Sequence, residues 1–503
     1  MSKNFRARGA SIPAPTGGWN ARDDIASMDK DEALVLDNLF PGNSYVSLRS
    51  GYQPHSSELG SSVESLMPWH SSRQGRLFAA AGGHIYDVTA AGTVGDAMVS
   101  GFTSDQWQFV NYKDRLFICN GVDAPQTWDG SSWQPSNWSG SGLTPGSLTT
   151  VTLFKQRLWY VERSSAKVWY GEAGAVSGTL LPFDLSQFAP HGGYLMAMGS
   201  WSIDGGDGMD DMAVFIMSEG DVLVYQGINP NQAGDWLLVG TFKMGKPVGR
   251  RCLTKLGPEL VVITQDGYQP LSKVLGSGRS GQRQALSDRI SRAVREAVAA
   301  YGGKFGWQIC HHPKRSQLIF NLPSSGRGFE QHVMNTSTGA WCRFTGLHGI
   351  CWAMFDDRLY FGSHDGTIYE ADRGTDDNGS DILADLRTSF QYYGGHGNNK
   401  RFTMLRPVLS SDAELPLAIT FDTDFAETPP NDPISSSYSA STAIWDNALW
   451  DEALWGGGME LRAFWQSVNG IGYCASVRLR TATGNQSIRW HAMDLQYETG
   501  SGL

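Results

Sequence analysis

One short pattern of apolar and polar positions occurs seven times between Leu77 and Leu359. Each copy has a brief apolar strand, a polar turn and a second strand that carries an aromatic residue. The aligned apolar positions are Leu77, Leu116, Leu158, Val214, Leu260, Leu318 and Leu359. Successive copies are 39 to 58 residues apart, and short-strand repeats of about 40 to 50 residues are typical of propeller blades. The pattern predicts a β-propeller of about seven blades.

Turn dipeptides lie between the two strands of most copies, for example Gly82-Gly83, Asn120-Gly121 and Asp365-Gly366. Hairpin turns of two residues need positive φ angles, which these residues tolerate. A β-sandwich built from hairpins is the alternative fold. It gives no reason for one pattern at a repeating interval, so the propeller is favoured.

The rest of the chain differs from the repeats. Residues 1–60 are predicted to form an N-terminal arm and linking segment, and residues 61–375 the propeller. Longer alternating strands, such as 386–392 and 476–480, follow a polar linker. They predict a C-terminal β-sandwich or barrel-like domain over 376–503. The fold class is therefore all-β.

One amphipathic helix is predicted inside the fifth repeat, over 283–301. Ser287 is its candidate N-cap, and Ile290, Val294 and Val298 share one face. The opposite face carries Arg289 and two further arginines. Such a helix packs on a blade edge, or it faces a partner or a channel.

Composition supports this class. Glycine accounts for 60 of 503 residues and aromatic residues for 11%, values that suit a turn-rich β protein. No long apolar run and no N-terminal apolar segment is present, so we expect a soluble protein made in a cytoplasm. Six cysteines without a Cys-x-x-Cys pair predict neither a disulfide framework nor a zinc site.

Three local patterns are candidate chemical sites. Residues 276–281 match the Gly-x-Gly-x-x-Gly fingerprint, but the flanking chain lacks βαβ alternation, so a flexible loop is favoured over a phosphate site. Asp422 and Asp424 alternate on a predicted strand, which does not by itself make a glycosidase pair. A glycine-rich loop could bind calcium or be solvated, and its carboxylates are those of Asp204, Asp207, Asp210 and Asp211. We predict no catalytic residue, no cofactor and no metal.

Charge is divided along the middle of the chain, although the net charge is −10. Residues 202–242 include seven acidic and no basic residues, and residues 243–293 include ten basic and three acidic residues. Opposite patches of this kind suit a head-to-tail contact between subunits. The candidate interface residues are Asp204, Asp207, Asp210, Asp211, Arg250, Arg251, Arg289 and Arg292. Independent solvated faces are the alternative.

A tryptophan pentad follows in the C-terminal segment, with Trp445, Trp450 and Trp455 spaced by five residues. This spacing fits neither a helix face nor a strand. The three rings are candidates for packing on apolar ledges or for stacking on sugars.

Several motifs together resemble one family, the tail nozzle proteins of short-tailed bacteriophages, also called tail tubular protein B or packaged-DNA stabilisation protein. The resemblance rests on motifs that occur in the same order: Pro13 to Asp23, Leu36 to Pro41, Arg49 to Tyr52, Leu286 to Asp288, and the tryptophan pentad. It spans essentially the whole chain. The family offers no catalytic motif to transfer to this sequence.

The resemblance implies a structural role in the virion tail. It implies a homo-oligomeric, hexameric ring below a tail adaptor protein, with tail fibres or a spike alongside. Double-stranded DNA would be retained by this ring and would pass through it on ejection. We expect the basic tip, with Lys3, Arg6 and Arg8, to contact the adaptor. A carbohydrate-binding or carbohydrate-active propeller, acting as a receptor-binding tail component, is the alternative function.

Overall fold

The computed structural model of the chain describes residues 7–204, 209–232, 234–276, 285–412, 415–433, 435–436, 459–484 and 486–500. The architecture is mostly β and consists of many small antiparallel sheets that follow one another along the chain. Each of the seven sequence repeats forms its own set of paired strands, numbered here sheet 1 to sheet 7. The aligned apolar residue lies in the second strand of its sheet in every case.

Three strands are common to all seven sheets. The first strands are Val63–His70, Gln108–Tyr112, Leu148–Phe154, Leu195–Asp204, Leu253–Leu256, Gln308–His312 and Cys351–Phe355. The second strands are Gly75–Ala81, Arg115–Cys119, Arg157–Glu162, Met209–Met217, Glu259–Thr264, Gln317–Pro323 and Arg358–Gly362. The third strands are His84–Asp87, Gln126–Trp128, Lys167–Tyr170, Asp221–Gly227, Gly267–Pro270, Phe329–Asn335 and Ile368–Ala371.

A fourth strand completes six of the sheets. In sheets 1, 2, 3, 4 and 6 it comes next in the chain, and these strands are Val99–Ser100, Trp133–Pro135, Leu181–Asp184, Trp236–Lys243 and Trp341–Phe344. Sheet 7 takes its fourth strand from the N-terminal part of the chain, since Tyr52–Ser57 pairs with Ile368–Ala371. Gly92–Thr93 adds to that strand, and Trp138–Ser139 pairs with Gly178–Thr179 beside sheet 3.

The first strands pack against one another in a closed cycle. Each contacts the first strand of the next sheet, and the first strand of sheet 7 contacts that of sheet 1. The architecture is therefore propeller-like.

Packing on both faces of the strands explains why these segments are so apolar. Successive side chains of a strand point to opposite faces. In sheet 2, Leu116 and Ile118 pack toward sheet 1, whereas Phe117 and Cys119 pack toward sheet 3. Because both faces are covered, the strand is a continuous apolar run, as expected for buried strands.

Sheet 6 continues beyond its repeat. Strand Glu32–Asp37 lies next to Trp341–Phe344 in the sheet, and a β-bridge between Asp37 and Arg343 joins the two strands. Gly18–Trp19 pairs with Glu32–Asp37. Three longer strands extend the sheet further, in the order Ile382–Thr388, Ala475–Thr483 and Ala418–Thr423, and Ser435–Ser436 pairs with the second of these.

A second large sheet, called the terminal sheet below, lies against this extension. Its strands are Arg8–Pro13, Leu39–Pro41, Val46–Leu48, Lys400–Ser411, Glu460–Ala463, Gln466–Gly472 and Ile488–Thr499. Leu405 and Leu495 share one hydrophobic core with Val477 and Leu479 of the sheet 6 extension. The two sheets therefore face each other across an apolar layer.

The N-terminal segment differs from the predicted arm. Between residues 8 and 57 the chain contributes strands to the terminal sheet, to the extension of sheet 6 and to sheet 7. Three of its strands, Arg8–Pro13, Glu32–Asp37 and Tyr52–Ser57, pair with strands more than 300 residues away in the sequence. Local sequence patterns cannot indicate pairings over such a separation.

The helix predicted over 283–301 is found as a 3-10 turn, Asp288–Ile290, and an α-helix, Ser291–Tyr301. Ile290 and Val294 are fully buried, and the helix contacts the third strand of sheet 5 and the second strand of sheet 6. Ser287 does not cap the turn through its side chain. Its hydroxyl accepts the Tyr268 N–H at 2.9 Å instead. A short helix, Leu271–Gly276, precedes this region, and the other 3-10 turns of the described ranges are Pro145–Ser147, Ser186–Phe188 and Pro313–Arg315.

The six cysteines are all buried and unpaired. Burial raises the pKa of the thiols of Cys252, Cys310 and Cys351 to about 12, so these groups are unreactive core residues. Among the helices in the described ranges, none has both the length and the apolar character needed to cross a lipid bilayer.

Candidate functional site

Arg49, which opens the sequence motif from Arg49 to Tyr52, is 2% exposed and donates through all three of its guanidinium nitrogens. Nη1 and Nη2 donate to Oδ1 and Oδ2 of Asp377 at 2.8 and 2.6 Å. Nε donates to Asn38 Oδ1 at 2.8 Å, and the carbonyls of Ser50 and Thr345 accept at 3.1 and 2.8 Å. Five donors thus have five acceptors, which satisfies the buried charge.

Asn38, from a second motif, occupies the left-handed region with a φ of 59°. Its Oδ1 also accepts the Thr345 N–H at 2.8 Å, and its Nδ2 donates to Thr345 Oγ1 and to the Leu383 carbonyl, both at 2.9 Å. The preceding Asp37 accepts two hydrogen bonds from Arg343, at 2.8 and 2.6 Å. This motif therefore joins sheet 6 to its extension.

The Trp19 motif lies on the same part of the molecule. The Trp19 ring packs edge-on against His332 with centroids 5.3 Å apart, and the Arg343 guanidinium lies over it at 5.6 Å. Gly18 has a φ of 86°, and an added Cβ would lie 2.6 Å from the backbone of Trp341. Only glycine fits this position without movement of sheet 6.

The end of that motif contacts the helix. Arg22 forms ion pairs with Asp23 and with Asp288, the last residue of the Leu-Ser-Asp motif. Its hydrogen bonds lower the pKa of the Asp23 carboxyl to about 2. The Ala21 N–H donates to the Arg289 carbonyl at 2.9 Å.

Four of the five motifs therefore meet in one region between sheet 6, its extension and the helix. We call this region the joint. Its polar groups bond to one another, and the motifs act there as structural contacts.

A cavity of about 490 Å³, called the axial cavity below, lies where the seven first strands converge. Every sheet supplies part of the wall. Representative lining residues are Leu66, Gln108, Thr152, Met198, Leu253, Gln308 and Trp352.

Arg250 and Arg251, predicted as subunit-interface residues, line this cavity. Arg251 donates to the Glu64 carbonyl at 3.0 Å, to Ser65 Oγ at 2.6 Å and to the Trp107 carbonyl at 3.0 Å. It thereby connects sheet 5 to sheets 1 and 2 across this cavity. Burial lowers the pKa of both guanidinium groups, and an arginine nevertheless remains charged.

A second cavity of about 210 Å³ adjoins the first and shares Arg250 and Arg251 with it. Lys304 and Phe305 line its other side, and the Arg251 guanidinium lies 5.1 Å from the centroid of the Phe305 ring. Three cations, those of Arg250, Arg251 and Lys304, therefore line the second cavity. No carboxylate appears among the residues that line either cavity.

The acidic candidates are placed only in part. Asp207 lies outside the described residues, and Asp204 and Asp210 lie on paired strands of sheet 4. Asp211 accepts a hydrogen bond from Ser202 across the same hairpin. Elsewhere, the acidic and basic stretches pair within the chain, since Lys246 contacts Glu219 at 2.6 Å and Lys243 contacts Asp221 at 3.5 Å.

The remaining candidates lie elsewhere. Arg289 pairs with Glu32 at the joint, and the exposed Arg292 pairs with Glu296 one helical turn away. Arg8 is exposed at the start of the first strand. The other predicted adaptor and packing residues, Lys3, Arg6, Trp445, Trp450 and Trp455, lie outside the described residues, as does most of the Gly-rich segment 276–281.

The pair Asp422 and Asp424 does not share one face of a strand as predicted. The strand ends at Thr423, and Asp424 adopts a φ of 51° in the turn that follows. The buried Asp422 accepts a hydrogen bond from Arg387 at 2.9 Å, whereas Asp424 accepts the Tyr473 N–H at 2.6 Å. Among the described residues, no group of three His, Cys, Asp or Glu side chains is placed to hold a metal ion.

Two exposed apolar surfaces were missed from the sequence. One is the outer strand of sheet 4, where Leu237 and Val239 are 56% and 49% exposed. The other is the edge of the terminal sheet, where Leu461 and Ile471 are 67% and 62% exposed. In sequence Trp236–Lys243 resembles an ordinary buried strand, whereas residues 460–472 mix apolar residues with polar residues and glycine, so neither segment signals an exposed apolar surface.

No family model and no curated protein matches this chain. Among solved structures, the chain is similar to YCF48 from Cyanidioschyzon merolae, with 12% identity, a TM-score of 0.35 and coverage of 61% of this chain and 96% of the other. It is also similar to BBS1N in complex with ARL6DN, with 10% identity, a TM-score of 0.41 and coverage of 65% and 99%. A third similar structure, an exo-beta-1,3-galactanase from Phanerochaete chrysosporium, has 8% identity, a TM-score of 0.25 and coverage of 77% and 95%.

Proposed function

We propose that this chain is a structural, non-enzymatic subunit of a phage virion tail. It would form a ring-shaped nozzle below the portal and adaptor, retain packaged DNA and let it pass on ejection. The observation that carries the proposal is the joint. Motifs shared with nozzle proteins come from positions between 13 and 288 and meet there in one contact network. Chance matches to unrelated short motifs have no reason to converge in space.

We infer that sheets 1 to 7 are the blades of one seven-bladed propeller. The closed cycle of first strands supports this count. The shared fourth strand of sheet 7 supports it as well, because Tyr52–Ser57 links the start of the cycle to its end. The terminal sheet and the extension of sheet 6 would then form the C-terminal β-sandwich, joined to the sixth blade by a continuous sheet.

The ring would contain six copies. Exposed apolar side chains on sheet 4 and on the terminal sheet support a partner-covered surface, since monomers rarely expose large apolar patches. The net charge of −10 suits a conduit that releases DNA, because a strongly cationic lumen would hold phosphate groups. Lys3, Arg6 and Arg8 would contact the adaptor, and the virion would be assembled in the host bacterial cytoplasm.

We also propose that neighbouring subunits meet through an acidic patch on one copy and a basic patch on the next. Because Arg251 lines a cavity, the exposed Arg292 is the better candidate for the basic side of this subunit contact.

Native mass spectrometry of the full chain, with negative-stain images of the same sample, tests the ring. We expect a species of six times the chain mass and a six-fold image with a central opening. A chain that stays monomeric at tens of micromolar would contradict the proposal.

A glycan array distinguishes the alternative function. The nozzle predicts no binding above background. Glycan binding that is lost in Trp445→Ala or Trp450→Ala would instead favour a receptor-binding tail component.

A further inference from the structure

One edge of the terminal sheet is formed by Glu460–Ala463, which carries Glu460 and Arg462, and by Gln466–Gly472, which carries no charged residue. Both strands pair with Lys400–Ser411 on one side, and no described strand pairs with them on the other. Natural sheets protect such edges with charged residues, proline or very short strands. From residue 463 to residue 477 this chain has no charged residue and no proline.

The apolar side chains of this edge are exposed. Leu461 and Ile471 are more than three-fifths exposed, and Trp465 and Tyr473 are 40% and 41% exposed. The outer strands of sheets 1 and 2, by contrast, have only two and three residues. An exposed apolar edge of this length is a template for strand addition.

The opposite edge of the same sheet is also unpaired. Arg8–Pro13 pairs with Ile488–Thr499 and with no other described strand. It has six residues, and Gln466–Gly472 has seven. Ile12 points into the core, whereas Ser11 is exposed on the other face. The two free edges are therefore similar in length. Arg8 and Pro13 stand at the two ends of the first edge, and residues 9–12 between them are uncharged. The outer face of the second edge carries Ser467, Asn469 and Ile471.

Strand directions make the two edges complementary. The strands Arg8–Pro13, Ile488–Thr499, Lys400–Ser411 and Gln466–Gly472 lie side by side, and every neighbouring pair is antiparallel. Because four strands alternate in direction, the last strand of one copy is antiparallel to the first strand of a copy that is related by rotation. A head-to-tail repeat of this unit continues the antiparallel sheet and can close into a ring.

We propose that Gln466–Gly472 of one chain pairs with Arg8–Pro13 of a second copy, so that the terminal sheets of neighbouring copies join edge to edge. This inference rests on the ring proposed above and identifies its subunit contact. A second copy is the occupant because the chain itself carries the complementary free edge.

Cysteine cross-linking in the full chain tests the pairing. Ser11→Cys is combined in turn with Ser467→Cys, Asn469→Cys and Ile471→Cys, which scans the register on the outer face. Opposed residues of antiparallel strands have Cα atoms about 4.5 to 5.5 Å apart, within the Cα separation that a disulfide spans. Within one chain the two edges are three strand spacings apart, about 14 Å, so a disulfide must join two copies. The six native cysteines are buried and contribute little background.

We expect one combination to give a non-reducing ladder that extends to the full ring. Ser11→Cys alone and Ser11→Cys with Ser131→Cys are the controls, since Ser131 is exposed in a turn of sheet 2. The proposal is overturned if rings form in native mass spectrometry but no combination exceeds these controls. Monomers in all samples would overturn the ring and the edge contact together.

A charge on the edge gives a second measurement. Ile471→Lys should raise the concentration for half-assembly at least tenfold, because a lysine disfavours strand addition. Val122→Lys is the matched control, since Val122 is 45% exposed on a turn of sheet 2. Equal assembly of wild type and Ile471→Lys would overturn the proposal.

Discussion

Arg49 and Asp377 form a two-fold hydrogen-bonded ion pair, with N–O distances of 2.8 and 2.6 Å, although they are 328 residues apart in the chain. The side chains are 2% and 9% exposed. The pair attaches the N-terminal segment to the segment that follows sheet 7. It therefore links the two ends of the cycle of sheets.

Asp377→Ala should destabilise the chain by about 3 to 5 kcal/mol, because the Arg49 guanidinium would remain buried without its counter-charge. Urea unfolding monitored by tryptophan fluorescence measures this. Arg49→Lys should not preserve stability, since an ammonium cannot supply five planar donors. Arg292→Ala, at an exposed ion pair, should leave the midpoint at the wild-type value. A small change for Asp377→Ala would contradict the structural role of the joint.

Gly51→Ala should also disrupt the joint. An added Cβ would lie 1.6 Å from the carbonyl oxygen of Asp376, so one backbone segment must move. We expect a loss of about 3 kcal/mol or more in unfolding free energy. Gly95→Ala is the control, because nothing lies within 4 Å of a Cβ there. Equal melting temperatures for the two variants would show that the close approach of residues 51 and 376 is absent in solution.

The repeated part of the fold was predictable because its signal is local. Each hairpin carries its own apolar strands and turn residues, and the aligned positions recur in register, as Leu116 and Leu158 show. The amphipathic helix was predictable for the same reason, since Ile290 and Val294 lie on one face.

The joint and the axial cavity were not predictable from local patterns. Arg49 has the same sequence surroundings as an exposed arginine, and only the fold brings Asp377 to it. Likewise, Arg251 belongs to a basic stretch that suggested a surface, but strand geometry points it across the axis to Trp107. Partners more than a hundred residues apart leave no periodic trace in one sequence.

Stability should fall at mildly acidic pH because of His332. Burial, with a smaller contribution from Arg343, lowers the pKa of His332 to about 3. The pKa of a histidine in an unfolded chain is about 6.5. Below that pH the unfolded chain binds a proton that the folded chain does not, so stability present above pH 6.5 is lost as the pH falls. At pH 5 this loss is about 2 kcal/mol.

His332→Gln should therefore lose about 2 kcal/mol less than wild type between pH 7 and pH 5. Urea unfolding at the two pH values measures the difference. His348→Gln, at an exposed site, should keep the wild-type dependence. An unchanged dependence in His332→Gln would show that this imidazole is accessible to protons in the folded chain.

Arg251→Met should destabilise the chain through the axial cavity. Methionine fills much of the same space, but the Glu64 and Trp107 carbonyls would lose the Arg251 donor, and Ser65 Oγ would keep only the Trp107 N–H. Buried acceptors without a partner cost about 1 to 3 kcal/mol each, so we expect a loss of about 3 kcal/mol in unfolding free energy. Lys255→Met is the control, because Lys255 is an exposed cation on the wall of the same cavity. If the two variants are equally stable while Arg251→Met changes only the oligomeric state, Arg251 acts at a subunit contact, and its place inside the cycle of sheets is wrong.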